Sequence, residues 1–358
     1  MTRRYVVVIA SVLMVAAGAC QTDAGQESLG SQPSSSEFLK PTFEFEEIRD
    51  DVYLATGSPA SLAGCNAAII INESDVVIVD SNISPQAAAI MLEGLREITN
   101  KPIRYVINTH FHFDHVYGNQ LYAADAEIIG HEFTRDAIDS RLVTSGRTYD
   151  LFIASMPTQI ASLRERIDKV SDSEERTNLE QRLAIQESAW AAIHTVEHIS
   201  PKIVLSDHLT LYRGTREIRI LYFGRGHTGG DVVVYLPQER ILIAGDLIYE
   251  RLSYMGDAYF EDWVETLEKL KSLDFDWFLP GHGAAFQDRS RIDYFKSYLH
   301  DFWQRAAEQY EAGVSIEEAA ERIDMRDHSE HYPQIEEVGV SLPAMERAYE
   351  LLDQRTDR

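Results

Sequence analysis

The sequence predicts an α/β protein: a four-layer α/β/β/α sandwich with a helical insertion and a C-terminal helical appendage. Three observations carry that prediction. Short apolar runs bounded by turn residues recur in two groups, one from Val52 to Ile129 and one from Ile203 to Leu279, with helix-spaced segments interspersed. Residues 150–198 break the strand pattern with two amphipathic helical periods. After Gly283 the pattern is helical to the end of the chain.

The order of elements begins with a leader. Arg3 and Arg4 precede the apolar run Val6–Ala17, and Ala17-Gly-Ala-Cys follows, so residues 1–19 read as a secretory signal with a lipoprotein-type cleavage site before Cys20. The run is too short for a membrane span. Residues 20–40 would then be a lipidated cysteine and a polar tether, placing the protein in the periplasm and on the membrane only through that anchor. A domain over 41–285 follows. Val52–Ala55, Ala67–Ile71 and Val76–Val79 read as strands, and Ser84–Ile98 as a helix with Pro85 in its first turn. Ile103–Ile107 and Ala126–Ile129 are further strands. In the insertion, Ile160, Leu163, Ile167 and Val170 mark one helix, and Leu179, Leu183, Trp190 and Ile193 a second, with Asp172-Ser-Glu-Glu between them. This hairpin either covers the sheet or forms a lid whose Phe152, Met156 and Trp190 line an apolar pocket. Strands resume at Ile203–Leu205, Leu209–Tyr212, Ile218–Phe223, Val232–Leu236, Ile241–Ala244 and Trp277–Leu279. Residues 286–358 form the appendage, with helices over Ile292–Ala312, after the capping box at Ser315-Ile-Glu-Glu, and after Pro343. It is expected to pack on the core or on a second subunit.

The chemistry concentrates in Thr-His-Phe-His-Phe-Asp-His, directly after the strand Ile103–Ile107. His110, His112, Asp114 and His115 put three imidazoles and a carboxylate within six residues, the donor types zinc favours. Three later residues can complete a shell. His227 stands in Gly-Arg-Gly-His-Thr-Gly-Gly, Asp246 ends Ile-Leu-Ile-Ala-Gly-Asp, and His282 stands in Leu-Pro-Gly-His-Gly. Each follows a strand and has glycine beside it, where the backbone must turn or approach closely. Other histidines are read as structural. His131 follows a strand beside an already full shell, His194 and His198 fall on a solvated helical face, and His328 and His331 fall at the surface. Cys65 is expected to be a packed small residue rather than a nucleophile, with no disulfide in the mature domain.

On these motifs, and on Asp80 at the end of Val-Val-Ile-Val-Asp, the chain resembles the metallo-β-lactamase superfamily over roughly residues 45–285. The resemblance implies the αββα sandwich and a two-zinc site. His110, His112 and His227 would hold one metal, Asp114, His115 and His282 the second, and Asp246 would bridge them. Asp80 would support the ligands from behind. Two zinc ions about 3.5–4 Å apart lower the pKa of a shared water towards neutrality and polarise the oxygen under attack. Asp114 would orient the attacking water and take its proton. The expected activity is hydrolysis of an ester, thioester, amide or lactam bond by a metal-bound hydroxide.

Departures from named branches bear on the substrate. True β-lactamases often have Cys or Ser where Asp246 stands, with a Lys or Ser just downstream for the drug's carboxylate. Here Ile248 and Tyr249 occupy that stretch. The bridging Asp is similar to glyoxalase II-like and sulfur-oxidation-associated hydrolases, and Tyr254-Met-Gly-Asp257 resembles a motif of the latter. Tyr249, Tyr254 and Asp257 are candidate pocket residues for a small-molecule substrate. Metallo-β-lactamase activity proper, an iron-dependent persulfide-dioxygenase-like oxidoreductase and a metal-binding protein without turnover are the alternatives. The formal charge of −25 disfavours nucleic acid as a partner, because such a surface repels phosphate. The oligomeric state is not readable.

Overall fold

The computed structural model describes residues 42–58 and 61–356. The leader, Cys20 and the whole of the tether fall outside them. Among the described residues, twelve strands form two sheets. The first has seven, in chain order: β1 (Phe43–Arg49), β2 (Val52–Gly57), β3 (Ala67–Ile71), β4 (Val76–Val79), β5 (Ile103–Ile107), β6 (Glu127–His131) and β7 (Ile203–Leu205). Pairing is antiparallel from β1 to β4 and parallel from β4 to β7. The second sheet runs β12 (Trp277–Pro280), β11 (Ile241–Gly245), β10 (Val232–Leu236), β9 (Arg216–Tyr222) and β8 (His208–Arg213), with only β11 and β12 parallel.

The inner faces explain why two sheets stack. Val52, Leu54, Ile70, Val77, Val79 and Ile107 of the first meet Ile218, Ile220, Val234 and Ile243 of the second in one buried cluster. Each outer face is apolar too, so each needs a helical cover. Helix α1 (Pro85–Leu95) lays Ala88, Met91 and Leu95 on the first sheet. Its start is set by Ser84, whose side chain accepts from the Ala87 N–H, with Pro85 in the first turn. On the second sheet lie α6 (Phe260–Leu270), α7 (Arg291–Glu311), α8 (Ile316–Arg322) and α9 (Leu342–Thr356), which share one core with Val233, Tyr235, Leu242 and Phe278. The appendage therefore packs on the sandwich itself.

Ahead of α6 in the chain come α2 (Phe113–Val116), α3 (Glu132–Asp139) and the insertion hairpin, α4 (Met156–Lys169) and α5 (Ser173–Ile193). Asp172 caps α5 by accepting from the Glu175 N–H. A one-turn helix at Gly146–Tyr149 and a wide π turn at Asp150–Ala154 lead into the hairpin.

Strand β1 and helices α2, α3 and α6 were not anticipated, and two expectations change. His328 is buried rather than superficial, its Nε2 2.9 Å from Asp301 Oδ2. His198 lies beyond the end of α5, half-buried, with its ring centroid 4.9 Å from that of Tyr117, so it shares no solvated helical face with His194.

Candidate metal centre

The residues singled out from the motifs meet at one end of the sandwich. Asp80 leaves β4, His110 to His115 leave β5 and run into α2, His227 sits in the β9–β10 loop, Asp246 follows β11 and His282 follows β12. Strand ends from both sheets converge here, and loop bonds hold them together. The Val232 N–H donates to the Thr109 carbonyl, and the Asn66 side chain donates to the Pro280 and Gly283 carbonyls flanking His282.

Hydrogen bonds decide which nitrogen each imidazole presents. Asp80 can only accept. It takes the Thr109 N–H on Oδ1, and the Thr109 hydroxyl and His115 Nδ1–H on Oδ2, each at 2.8 Å. The Thr109 oxygen is then left to accept from His110 Nδ1–H at 3.0 Å. His110 and His115 thus turn Nε2 towards the cluster, and both Nε2 atoms are buried without a hydrogen-bond partner among the described residues. His112 is turned the other way. Its Nε2–H donates to Asp257 Oδ2 at 2.9 Å, which leaves Nδ1 facing His227 Nε2 at 3.0 Å. A carboxylate behind an imidazole is the usual device for setting the tautomer of a metal-binding histidine.

The donor atoms fall into groups of metal-binding size: His110, His112 and His227; His110, His115 and Asp246; Asp114, His115 and His282. Tetrahedral ligands at zinc bond lengths stand about 3.3 Å from one another. Here His282 Nε2 is 3.3 Å from Asp114 Oδ2 and 3.2 Å from Asp246 Oδ2, and His115 Nε2 is 3.4 Å from Asp246 Oδ1. His227 Nε2 lies 3.7 Å from Asp246 Oδ2, so Asp246 faces both halves of the set. Asp246 Oδ1 is itself buried without a hydrogen-bond partner. Orphaned buried acceptors of this kind fit a cation among them.

Electrostatics agree. Burial, then neighbouring imidazoles, holds His227 down to about 3 and His110 well below its ordinary value, so both are neutral donors. Burial pushes Asp246 up, but His282 and His115 outweigh it and keep the carboxylate ionised. Burial also lowers His282, yet Asp246 and Asp114 lift it to about 9. These carboxylates draw positive charge towards them, the role a bound cation would take over. Cys65 is buried close by, where loss of solvation pushes its thiol up to about 12. A neutral thiol is a poor nucleophile.

An open cleft of about 570 Å³ leads to the cluster, lined by His112, Asp114, His227, Asp246 and His282 on one side. Tyr249 and Tyr254 lie on its wall with Phe113, Phe152 and Leu252. Asp257 stands behind this wall, facing a smaller cleft beneath the insertion, with its carboxylate on His112. Of the three insertion residues proposed as lining, only Phe152 lines the cleft. Met156 is buried in the packing beneath the hairpin, and Trp190 packs against that cluster with its ring edge-on to His194. His131 is a helix-capping residue, its Nδ1 accepting from the Phe133 N–H. Sequence reasoning missed Arg251, Arg147 and Thr148. Arg251 is the one Lys or Arg side chain among the described residues lining the cleft, and no carboxylate pairs with it there. Thr148 donates to Asp257, and its hydroxyl is 3.1 Å from that of Tyr254.

The sequence profile of the metallo-beta-lactamase superfamily matches residues 61–141 and 155–282. A linear primary-alkylsulfatase from Pseudomonas sp. (strain ATCC 19151) is 22% identical over 72% of the chain, which spans 49% of that relative's length. The 2,4-dinitroanisole O-demethylase subunit alpha from Nocardioides sp. (strain JS1661) is 24% identical over 79% of the chain and 70% of its own length. Among solved structures, the stereoselective inverting sec-alkylsulfatase Pisa1 from Pseudomonas sp. matches with a TM-score of 0.60 and 14% identity, over 86% of this chain and 50% of that one. The metallo-beta-lactamase from Pontibacter korlensis matches with a TM-score of 0.51 and 18% identity, over 72% of this chain and 99% of that one. These structural likenesses speak to the fold.

Proposed function

Because the chain belongs to the metallo-beta-lactamase superfamily, we propose that it is a zinc-dependent hydrolase of small anionic molecules with an apolar body, sulfate esters foremost. One observation carries the reading: seven metal-capable side chains converge beside a cleft whose lining, among the described residues, includes one Lys or Arg side chain, Arg251, and the apolar Phe113, Phe152 and Leu252. Imidazole with carboxylate suits zinc better than calcium or magnesium. His110, His112 and His227 would hold one ion, Asp114, His115 and His282 the other, with Asp246 shared between them. Two zinc ions held there would acidify water and polarise the bond under attack.

The chain's own groups supply the rest. Arg251 pairs with the anionic group of the substrate, and Phe113, Phe152 and Leu252 take its apolar part. Burial raises the phenols of Tyr249 and Tyr254, so both stay protonated and can donate hydrogen bonds to substrate oxygens. Asp114 lines the cleft and receives the proton of the attacking water at its carboxylate. The alkylsulfatase likeness extends over 72% of the chain, whereas a type 2 metallo-beta-lactamase matches over 26% of it, and this supports trying sulfate esters before β-lactams. A β-lactam remains the second reading, since Arg251 would also hold its carboxylate.

Metal analysis of the purified protein should find about two zinc ions per chain. In a panel of an alkyl sulfate, nitrocefin and a thioester, the alkyl sulfate should turn over best, with release of inorganic sulfate. Arg251→Ala should raise KM for it by about 10–100-fold with kcat nearly unchanged, the cost of one charged hydrogen-bond partner used in binding. One iron per chain with oxygen consumption, or no turnover of any anionic ester, would sink the reading.

A further inference from the structure

The loop carrying Asp257 is gripped on both sides from elements far away in the chain. Arg147, in the turn that opens the insertion, donates from one guanidinium nitrogen to the Gly256 carbonyl at 2.7 Å. Arg347, on α9, donates from Nε to the Ala258 carbonyl at 2.9 Å. The two carbonyls flank Asp257. The two arginines are in turn joined by one carboxylate: Glu350 on α9 pairs with Arg147 and, at 3.2 Å, with Arg347. Glu346, one turn earlier, accepts from Arg147 Nε at 2.6 Å. The next residue after Arg147 is Thr148, buried, whose hydroxyl donates to the Asp257 carboxylate that sets the tautomer of His112.

We propose that Glu350 is a positioning residue for the metal centre, acting through Arg147 and Arg347 on Asp257 and so on His112. The C-terminal helix and the insertion would then belong to the support of the site, beyond covering it. This rests on the metal-binding reading above. The physical reason is leverage. Asp257 can direct His112 Nδ1 only while its backbone and carboxylate are both held, and loosely held supports of metal ligands weaken binding. Glu350 is half exposed, so its pairing with a single arginine would count for little. Its weight comes from bridging two arginines that each hold one end of the same loop. The effect should also be asymmetric, because Asp257 touches His112 and no ligand of the second ion.

The test is stepwise zinc removal by a competing chelator, together with the visible spectrum of the cobalt-substituted protein. It should be run on the full chain and on Glu350→Ala, Glu350→Gln and Thr148→Ala. In Glu350→Ala and Thr148→Ala, one of the two ions should dissociate about tenfold or more easily while the other holds, with the cobalt spectrum changed for that ion alone. Glu350→Gln, which keeps one acceptor, should fall between. Thermal melting shows which variants remain folded, and the Gln variant keeps the test open if Glu350→Ala does not fold. Equal weakening of both ions, or wild-type affinity in every folded variant, overturns the proposal. Absence of metal from the wild type would instead overturn the metal-binding reading.

Discussion

A methyl group at Gly281 would stand 2.2 Å from Asp246 Oδ1 and 2.8 Å from His115 Cε1. No side chain fits there unless a metal-facing group moves. Gly281→Ala is therefore expected to fold, with far-ultraviolet circular dichroism unchanged, yet to retain less than half the wild-type metal by elemental analysis. Full metal content would mean that Asp246 is not needed where it stands. At this scale the candidate ligands were legible, because histidine and aspartate at strand ends beside glycine are chemically specific. Asp80, which ends a strand with no glycine beside it, was legible only through the family resemblance. Arg251, Arg147, Thr148 and Glu350 were not. With 58 acidic and 33 basic residues in the chain, one more arginine or glutamate carries no mark of its own. What distinguishes Arg251 is the lack of a carboxylate partner in a cleft, and what distinguishes Glu350 is having two arginines; both are facts of placement.

Elements divide by whether their ends carry a signal. Ser84, Asp172 and Ser315 each cap a helix by accepting a backbone N–H three residues on, and all three helices were anticipated. Helix α6 keeps helical spacing at Phe260, Trp263, Leu267 and Leu270, but Tyr259 gives it no side-chain cap, and nothing local marked its start. Strand β1 carries Glu44, Glu46 and Glu47 on a sheet edge and shifts register between Glu47 and Arg49, which blurs its alternation. Within the covering layer of the second sheet, Phe302 of α7 is fully buried, its ring centroid 5.0 Å from that of Phe260. Phe302→Ala should cost about 3–5 kcal/mol in urea unfolding, the price of a large cavity in a packed interior. A loss below about 1 kcal/mol would show that the appendage is only loosely attached.

The whole molecule is two sheets whose loops each bring part of the candidate metal set. His110, His112, Asp114 and His115 come from the first sheet, and His227, Asp246 and His282 from the second. A metal held by both would tie the halves of the sandwich together, so binding and folding should be linked. Chelation is expected to lower the thermal midpoint, and added zinc at about a hundred times its Kd should restore about 2.7 kcal/mol. A midpoint indifferent to zinc would mean that the site spans no stabilising contact. The sequence by itself determined the sandwich and the candidate ligands, because strand periodicity, caps and histidine-rich turns are local patterns written in neighbouring residues. Only the tertiary structure decided which nitrogen each imidazole presents, that Arg251 faces the cleft unpaired, and that Glu350 reaches the loop of Asp257. Those depend on groups as far as 203 residues apart being brought to hydrogen-bonding distance, and hydrogen bonding acts over a few ångströms of space whatever the separation along the chain.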